Sequence, residues 1–243
     1  MDNVSAAKLL ISCLDLTSLH DNDTKESITE FCRLTDNPLC NPAAVCIYSQ
    51  FVAEAKANLD KSVNVATVIN FPKGDNNINI LEREIPSAIK LGADELDVVL
   101  PYKTLLAGDV EQVRSYLRAA RELCSKRVLK VIIESGELKS YSKIQQASQL
   151  CIEANVDFIK TSTGKTDVSA TPEAANIILE TIKSGGKKVG FKASGGIKTF
   201  SDAQSYMVLA RSIMGTDWVS PKHFRIGASS VLNDLLKTIE QGY

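Results

Sequence analysis

Eight short runs of apolar, β-forming residues alternate along this chain with eight longer segments whose apolar residues recur every three to four positions. A short apolar run reads as a strand buried on both faces, and a 3.6-residue period reads as a helix with one apolar stripe. The strands are expected at Cys13–Leu16, Ala44–Ile47, Val63–Ile69, Leu96–Leu100, Val128–Ile133, Phe158–Lys160, Val189–Phe191 and Arg225–Ile226. The helices are expected at Lys25–Leu34, Gln50–Leu59, Ile80–Leu91, Val110–Leu123, Ile144–Glu153, Glu173–Ile182, Ala203–Ile213 and Val231–Glu240. Parallel strands need crossover connections, and helices supply them. Such a chain either closes into a barrel or forms an open doubly wound sheet. No Gly-x-Gly-x-x-Gly follows the first strand, which removes the main support for a dinucleotide-binding open sheet. At 243 residues the chain is near the usual length of a barrel. The expected fold is α/β, a single (β/α)8 TIM barrel over residues 1–243, with a short N-terminal helix.

Helix starts are marked by Asp23-Thr24, by Thr171-Pro172-Glu173 and by Ser201-Asp202. No low-complexity stretch or Gly/Ser linker marks a domain boundary. The formal net charge of −1 gives no long-range pull toward nucleic acid or an anionic membrane, so any bound anion must be held locally. The six cysteines form no Cys-x-x-Cys pair, and Met1-Asp2-Asn3-Val4 does not open a secretory leader. No apolar run approaches the roughly 18 residues that cross a bilayer. A cytoplasmic protein is expected.

Charges stand where barrel strands should be apolar. Asp15 closes the first run, Asp97 interrupts Leu96–Leu100, and Lys130 interrupts Val128–Ile133 with Glu134 expected on its face. Lys160 and Lys192 sit at the ends of the sixth and seventh runs. A single lysine in a β-run is often a solvated edge residue. Several buried charges in one barrel cost several kcal/mol per ion unless they compensate one another, so a clustered set points to a site. A lysine amine attacks a carbonyl only when neutral, and its unperturbed pKa near 10.4 leaves it protonated at neutral pH. A neighbouring ammonium lowers that value. Lys160 and Lys192, on consecutive strands, suit this arrangement, with Asp97 placed to move protons.

Three loops point to phosphate. Thr161-Ser162-Thr163-Gly164-Lys165 follows the sixth strand, Ala193-Ser194-Gly195-Gly196-Ile197-Lys198 the seventh, and Gly227-Ala228-Ser229-Ser230 leads from the eighth into a helix. Glycines admit an anion close to backbone amides, and barrel phosphate sites commonly use the loops after strands 7 and 8. The two histidines, His20 and His223, form no metal-binding motif, so no metal and no cofactor are expected.

Leu14-Asp15-Leu16-Thr17, Asn70-Phe71-Pro72-Lys73-Gly74, Gly92-Ala93-Asp94-Glu95-Leu96-Asp97 and Lys130 through Leu138 resemble the matching runs of the 2-deoxyribose-5-phosphate aldolase family. So do Asp157 through Gly164 and Gly190 through Ile197. The likeness runs in unbroken order from about Leu14 to the C-terminus. It implies reversible, metal-independent cleavage of 2-deoxy-D-ribose 5-phosphate to acetaldehyde and D-glyceraldehyde 3-phosphate. Carried over by motif, Lys160 would form the Schiff base, Lys192 would lower its pKa, and Asp97 would transfer protons. Asp15 and Lys130 would support them, and Thr17 and Cys46 would line the substrate end. Thr163, Gly164, Lys165, Gly195, Gly196, Gly227, Ser229 and Ser230 would hold the phosphate. Some relatives end in a tyrosine that assists proton transfer, a role that would fall to Tyr243. A homodimer is common among relatives.

Two residues depart from the family pattern. His20 stands where some relatives carry a smaller polar residue, and Lys198 replaces an arginine, which keeps charge but loses the bidentate fork. The rival readings are another Schiff-base sugar-phosphate aldolase or transaldolase, and a phosphate-binding barrel without catalysis.

Overall fold

Asp2 accepts a hydrogen bond from the Ser5 amide and so caps the first helix, α1 (Asn3–Ser12), which runs directly into β1 (Leu14–Thr17). The computed structural model describes residues 1–37, 39–186 and 189–242. Thr24 and Ser27 form a reciprocal capping box that opens α2 (Lys25–Arg33). There follow β2 (Ala44–Ile47), α3 (Val52–Asn58), β3 (Asn64–Ile69), α4 (Ile78–Leu91), β4 (Glu95–Val99), α5 (Tyr102–Leu106) and α6 (Val110–Cys124). The chain continues through β5 (Val128–Ile132), α7 (Ser135–Leu138), α8 (Tyr141–Glu153), β6 (Phe158–Lys160) and α9 (Pro172–Ser184). It ends with β7 (Gly190–Ser194), α10 (Phe200–Met214), β8 (Phe224–Ala228) and α11 (Val231–Gln241).

All eight strands are parallel and form a closed barrel in chain order. The seam is β1 against β8, where Asp15 is level with Gly227. This is the expected (β/α)8 architecture, preceded by the expected N-terminal helix. Outward-facing strand residues such as Leu14, Leu16, Val45, Leu129, Val131 and Ile159 are fully buried in one large core between barrel and helices. Because side chains alternate along a strand, every second residue instead faces the lumen.

Several boundaries differ from the sequence reading, each for a local reason. β7 runs on to Ser194 and β8 to Ala228, so Ala193, Ser194 and Gly227 belong to strands, not to loops. The Ser194 amide donates to the Thr161 hydroxyl, and Ser194 is level with Gly227. Helix α10 starts at Phe200, with Thr199 as its cap; Asp202 sits one turn in and returns a bond to the Thr199 amide. The segment Gln50–Leu59 splits into a 3-10 turn over Ser49–Phe51 and then α3. Helices α5 and α7, of five and four residues, are too short to show any period.

The lumen has two walls. Asp15, Glu95, Asp97, Lys130, Lys160, Lys192 and Arg225 are all buried on one side. Leu19, Ala44, Cys46, Ala66 and Val68 form a separate small apolar cluster on β2, β3 and the loop after β1. Ionic and apolar walls therefore face each other across the same barrel.

Candidate active site

The strand register brings the expected charges together. Asp97 on β4 is level with Lys130 on β5, and Lys160 on β6 with Lys192 on β7. The Nζ atoms of Lys160 and Lys192 each lie 2.8 Å from the same atom, Asp97 Oδ2. The two amines are thus no farther apart than two hydrogen bonds laid end to end. Lys192 also meets Asp15 Oδ2 at 2.5 Å. Lys130 reaches Glu95 at 2.5 Å, Asp97 Oδ1 at 2.9 Å and Asp15 at 3.3 Å.

Burial opposes ionisation of every member of this cluster, and its mutual contacts decide the outcome. For Asp15 burial would raise the pKa, but Lys130, Lys192 and Arg225 outweigh it and hold the carboxyl far below its usual range. Asp97 is likewise held low against its burial by Lys130, Lys160 and Lys192. For Lys192 burial acts downward, yet Asp15 and Asp97 carry the ammonium above its ordinary value. Asp15, Asp97 and Glu95 do the same for Lys130. Lys192 is therefore a stable cation beside Lys160. Lys160, by contrast, touches one carboxylate oxygen only, and shares it.

Directly above the cluster, at the carboxyl ends of the strands, lies a cleft of 330 Å³. All nine residues Thr17, Thr163, Gly164, Lys165, Gly195, Gly196, Gly227, Ser229 and Ser230 line it, and His20, Ser194 and Lys198 join them. Gly195 and Gly196 have consecutive positive φ values of 89° and 80°, a conformation that L-side chains disfavour, and without side chains they let a ligand come close to the backbone. Ser230 heads α11 without a side-chain capping bond, so the helix's positive end faces the cleft bare of a carboxylate or hydroxyl cap. The Lys165 ammonium donates to the Leu19 carbonyl at 2.8 Å, tying the loop after β6 to the loop after β1.

Cys46 does not line this cleft. It lies deeper, fully buried in the apolar wall, where desolvation pushes its thiol pKa up. Tyr243 lies outside the described residues. Glu134 follows the end of β5 at Ile132 with a positive φ of 51°, and its carboxylate feels the Lys160 charge. It accepts from the Thr163 hydroxyl at 2.5 Å and from the Thr163 amide at 3.2 Å, which fixes a cleft residue from behind. Burial raises the Glu134 pKa.

Glu95 and Arg225 are the members that sequence reasoning missed. Arg225 bonds Asp15 at 2.5 Å and Glu95 at 3.0 Å from below. Period-two alternation could have found both, since Glu95 lies two residues before Asp97 and Arg225 two before Gly227. Among the described residues no group of three or more His, Cys, Asp or Glu side chains is arranged to hold a metal ion. None of the helices among them is long and apolar enough to cross a membrane.

Residues 9–237 match the model of the DeoC/LacD family aldolases. The chain belongs to that family. Among solved structures, this aldolase is similar to a provisionally assigned deoxyribose-phosphate aldolase from Toxoplasma gondii ME49, with TM-score 0.88 at 20% identity over 98% of this chain and 97% of that one. An aldolase designated QR15 matches with TM-score 0.82 at 28% identity, covering 96% of this chain and 97% of its own. The deoxyribose phosphate aldolase of Aeropyrum pernix, described as tetrameric, matches with TM-score 0.77 at 24% identity, covering 100% and 98%. The two likenesses below 25% identity speak to the fold, and the family match speaks to aldolase chemistry.

Proposed function

We propose that this aldolase cleaves 2-deoxy-D-ribose 5-phosphate reversibly to acetaldehyde and D-glyceraldehyde 3-phosphate through a Schiff base on Lys160. The observation that carries the reading is the pair of lysines on one Asp97 oxygen, set beneath an anion-binding cleft. The phosphate rests on the amides of Gly195 and Gly196 and the start of α11, with Lys165 and Lys198 supplying charge. With the phosphate there, the sugar's aldehyde end would extend into the lumen toward Lys160.

Neutral Lys160 attacks C1 to give a carbinolamine, and loss of water gives an iminium. A base removes the proton of the C3 hydroxyl, the C2–C3 bond breaks, and its electron pair moves onto the iminium to form an enamine. Glyceraldehyde 3-phosphate leaves. Protonation of the enamine at C2 and hydrolysis release acetaldehyde and return the amine. Asp97, in contact with both amines, is placed to relay these protons, and charged Lys192 to supply one to the departing carbinolamine oxygen. The wall of Ala44, Cys46, Ala66 and Val68 offers the two-carbon fragment an apolar surface.

The test is reduction by borohydride in the presence of acetaldehyde, followed by peptide mass mapping. An ethyl adduct on Lys160, absent from Lys160→Leu, is the expected result. A chain that cleaves the sugar phosphate yet yields no adduct, or carries it on another lysine, overturns the assignment.

A further inference from the structure

Below the reacting amines, the barrel holds an ion pair that no substrate can touch. Glu95 and Arg225 are 1% and 5% exposed, and neither lines the cleft. The Arg225 guanidinium is gripped on every side. It donates to both Glu95 oxygens, to Asp15 Oδ1 and to the Pro221 carbonyl at 2.6 Å, and its Cζ lies 5.2 Å from the Phe158 ring centre. Glu95 in turn accepts from Asn64 and bonds Lys130. Such a pair is a poor way to add stability, because desolvation offsets much of its attraction. Its value lies in the charge count.

The ion-paired set contains four cations (Lys130, Lys160, Lys192 and Arg225) and three carboxylates (Asp15, Glu95 and Asp97). One positive charge is in excess. The cations differ in how many carboxylates hold them. Lys130 has three carboxylate partners, while Lys192 and Arg225 have two each and Lys160 has one. The other ionisable groups nearby are the buried Cys46 thiol from β2 and Glu134 beyond β5, whose carboxylate accepts from Thr163 and acts on Lys160 from outside the bonded set, alike in every variant below.

We infer that Glu95 and Arg225 are positioning residues which set the proton count of the cluster, and thereby the pH at which Lys160 becomes nucleophilic. The inference rests on Lys160 being the Schiff-base lysine. Removing the Arg225 charge leaves three cations against three carboxylates, so Lys160 keeps its proton to higher pH. Removing the Glu95 charge leaves two excess positives, so the proton leaves at lower pH. Charges several ångströms apart in a buried site interact strongly enough to shift titration by about one pH unit or more.

The experiment measures borohydride trapping of acetaldehyde at Lys160 across pH for the wild type, Glu95→Gln, Arg225→Met, the double variant and Arg225→Lys. Trapping should begin about one pH unit lower in Glu95→Gln and about one unit higher in Arg225→Met. It should return toward the wild-type position in the double variant and in Arg225→Lys. Unmoved profiles, or both single variants moving in the same direction, overturn the inference, since simple loosening of the site has no sign. If Arg225→Met does not fold, the near-isosteric Glu95→Gln decides alone by its downward shift or lack of one. Failure of the wild type to trap at any pH would instead count against the Schiff-base reading itself.

Discussion

Gly227 lies where any added Cβ would fall 2.9 Å from Lys192 Cε. The lysine's chain crosses the face of β8 at this point on its way to Asp15 and Asp97, and the Ser194 hydroxyl is closer still, at 2.6 Å. Gly227→Ala must therefore displace one of these groups. Overpacking of this kind costs about 1–3 kcal/mol. Because Lys192, as well as Ser194, stands closer than an added Cβ tolerates, we expect turnover to fall at least about tenfold, as loss of about 1.4 kcal/mol of transition-state stabilisation implies. The melting temperature and the steady-state rate of the variant, measured together, separate misplacement from unfolding.

Replacing Lys192 with Leu removes a cation that stands beside Lys160 and leaves Asp15 and Asp97 each short of a partner. The excess positive charge disappears. The rise of trapping at Lys160 should move to higher pH, and an unchanged pH–rate profile would contradict the role given to Lys192.

The pH dependence of stability follows from the same contacts. Asp15 and Asp97 are held below their ordinary values in the folded protein, so their contribution is present above about pH 4 and is lost as pH falls. Lys130 and Lys192 are held above theirs, so their contribution is present below about pH 10.4 and is lost as pH rises through the folded values. Denaturant unfolding at a series of pH values should show no loss from these four groups between roughly pH 5 and 10, and a decline on either side.

Thr163→Val preserves shape but withdraws the hydroxyl that donates to buried Glu134. Leaving that carboxylate short of a donor costs about 1–3 kcal/mol. Thr163 also lines the cleft, and the loop after β6 depends on it. Both a lower urea midpoint and a higher KM for the phosphorylated substrate are expected. A change in stability with KM untouched would show that the Glu134 contact does not position the cleft.

Much of the site is readable from the chain because charge in an apolar strand is conspicuous. Asp97 and Lys130 stand out for that reason, and the lumen face then follows from alternation. Glu95 escapes notice because it begins β4 beside Asp94, where the run looks like the end of a turn. Arg225 escapes because only two residues of the five-residue strand β8 read as β-forming. Gly and Ser at the ends of β7 and β8 resemble loop residues, although the ladder continues through them. Glu134 lies just past the last residue of β5, where strand alternation alone no longer fixes a side chain's direction. Which lysine has the fewest partners is a property of three-dimensional contact and has no sequence signature.

The seam between β1 and β8 has a consequence for folding. Asp15 and Arg225 are 210 positions apart in the chain, yet the two share a hydrogen bond of 2.5 Å. A nascent chain that has not yet delivered its eighth strand lacks both the edge that closes the barrel and the guanidinium that Asp15 and Glu95 require. The charge cluster is therefore complete only once the barrel has closed on itself, by a contact between strands far apart in sequence.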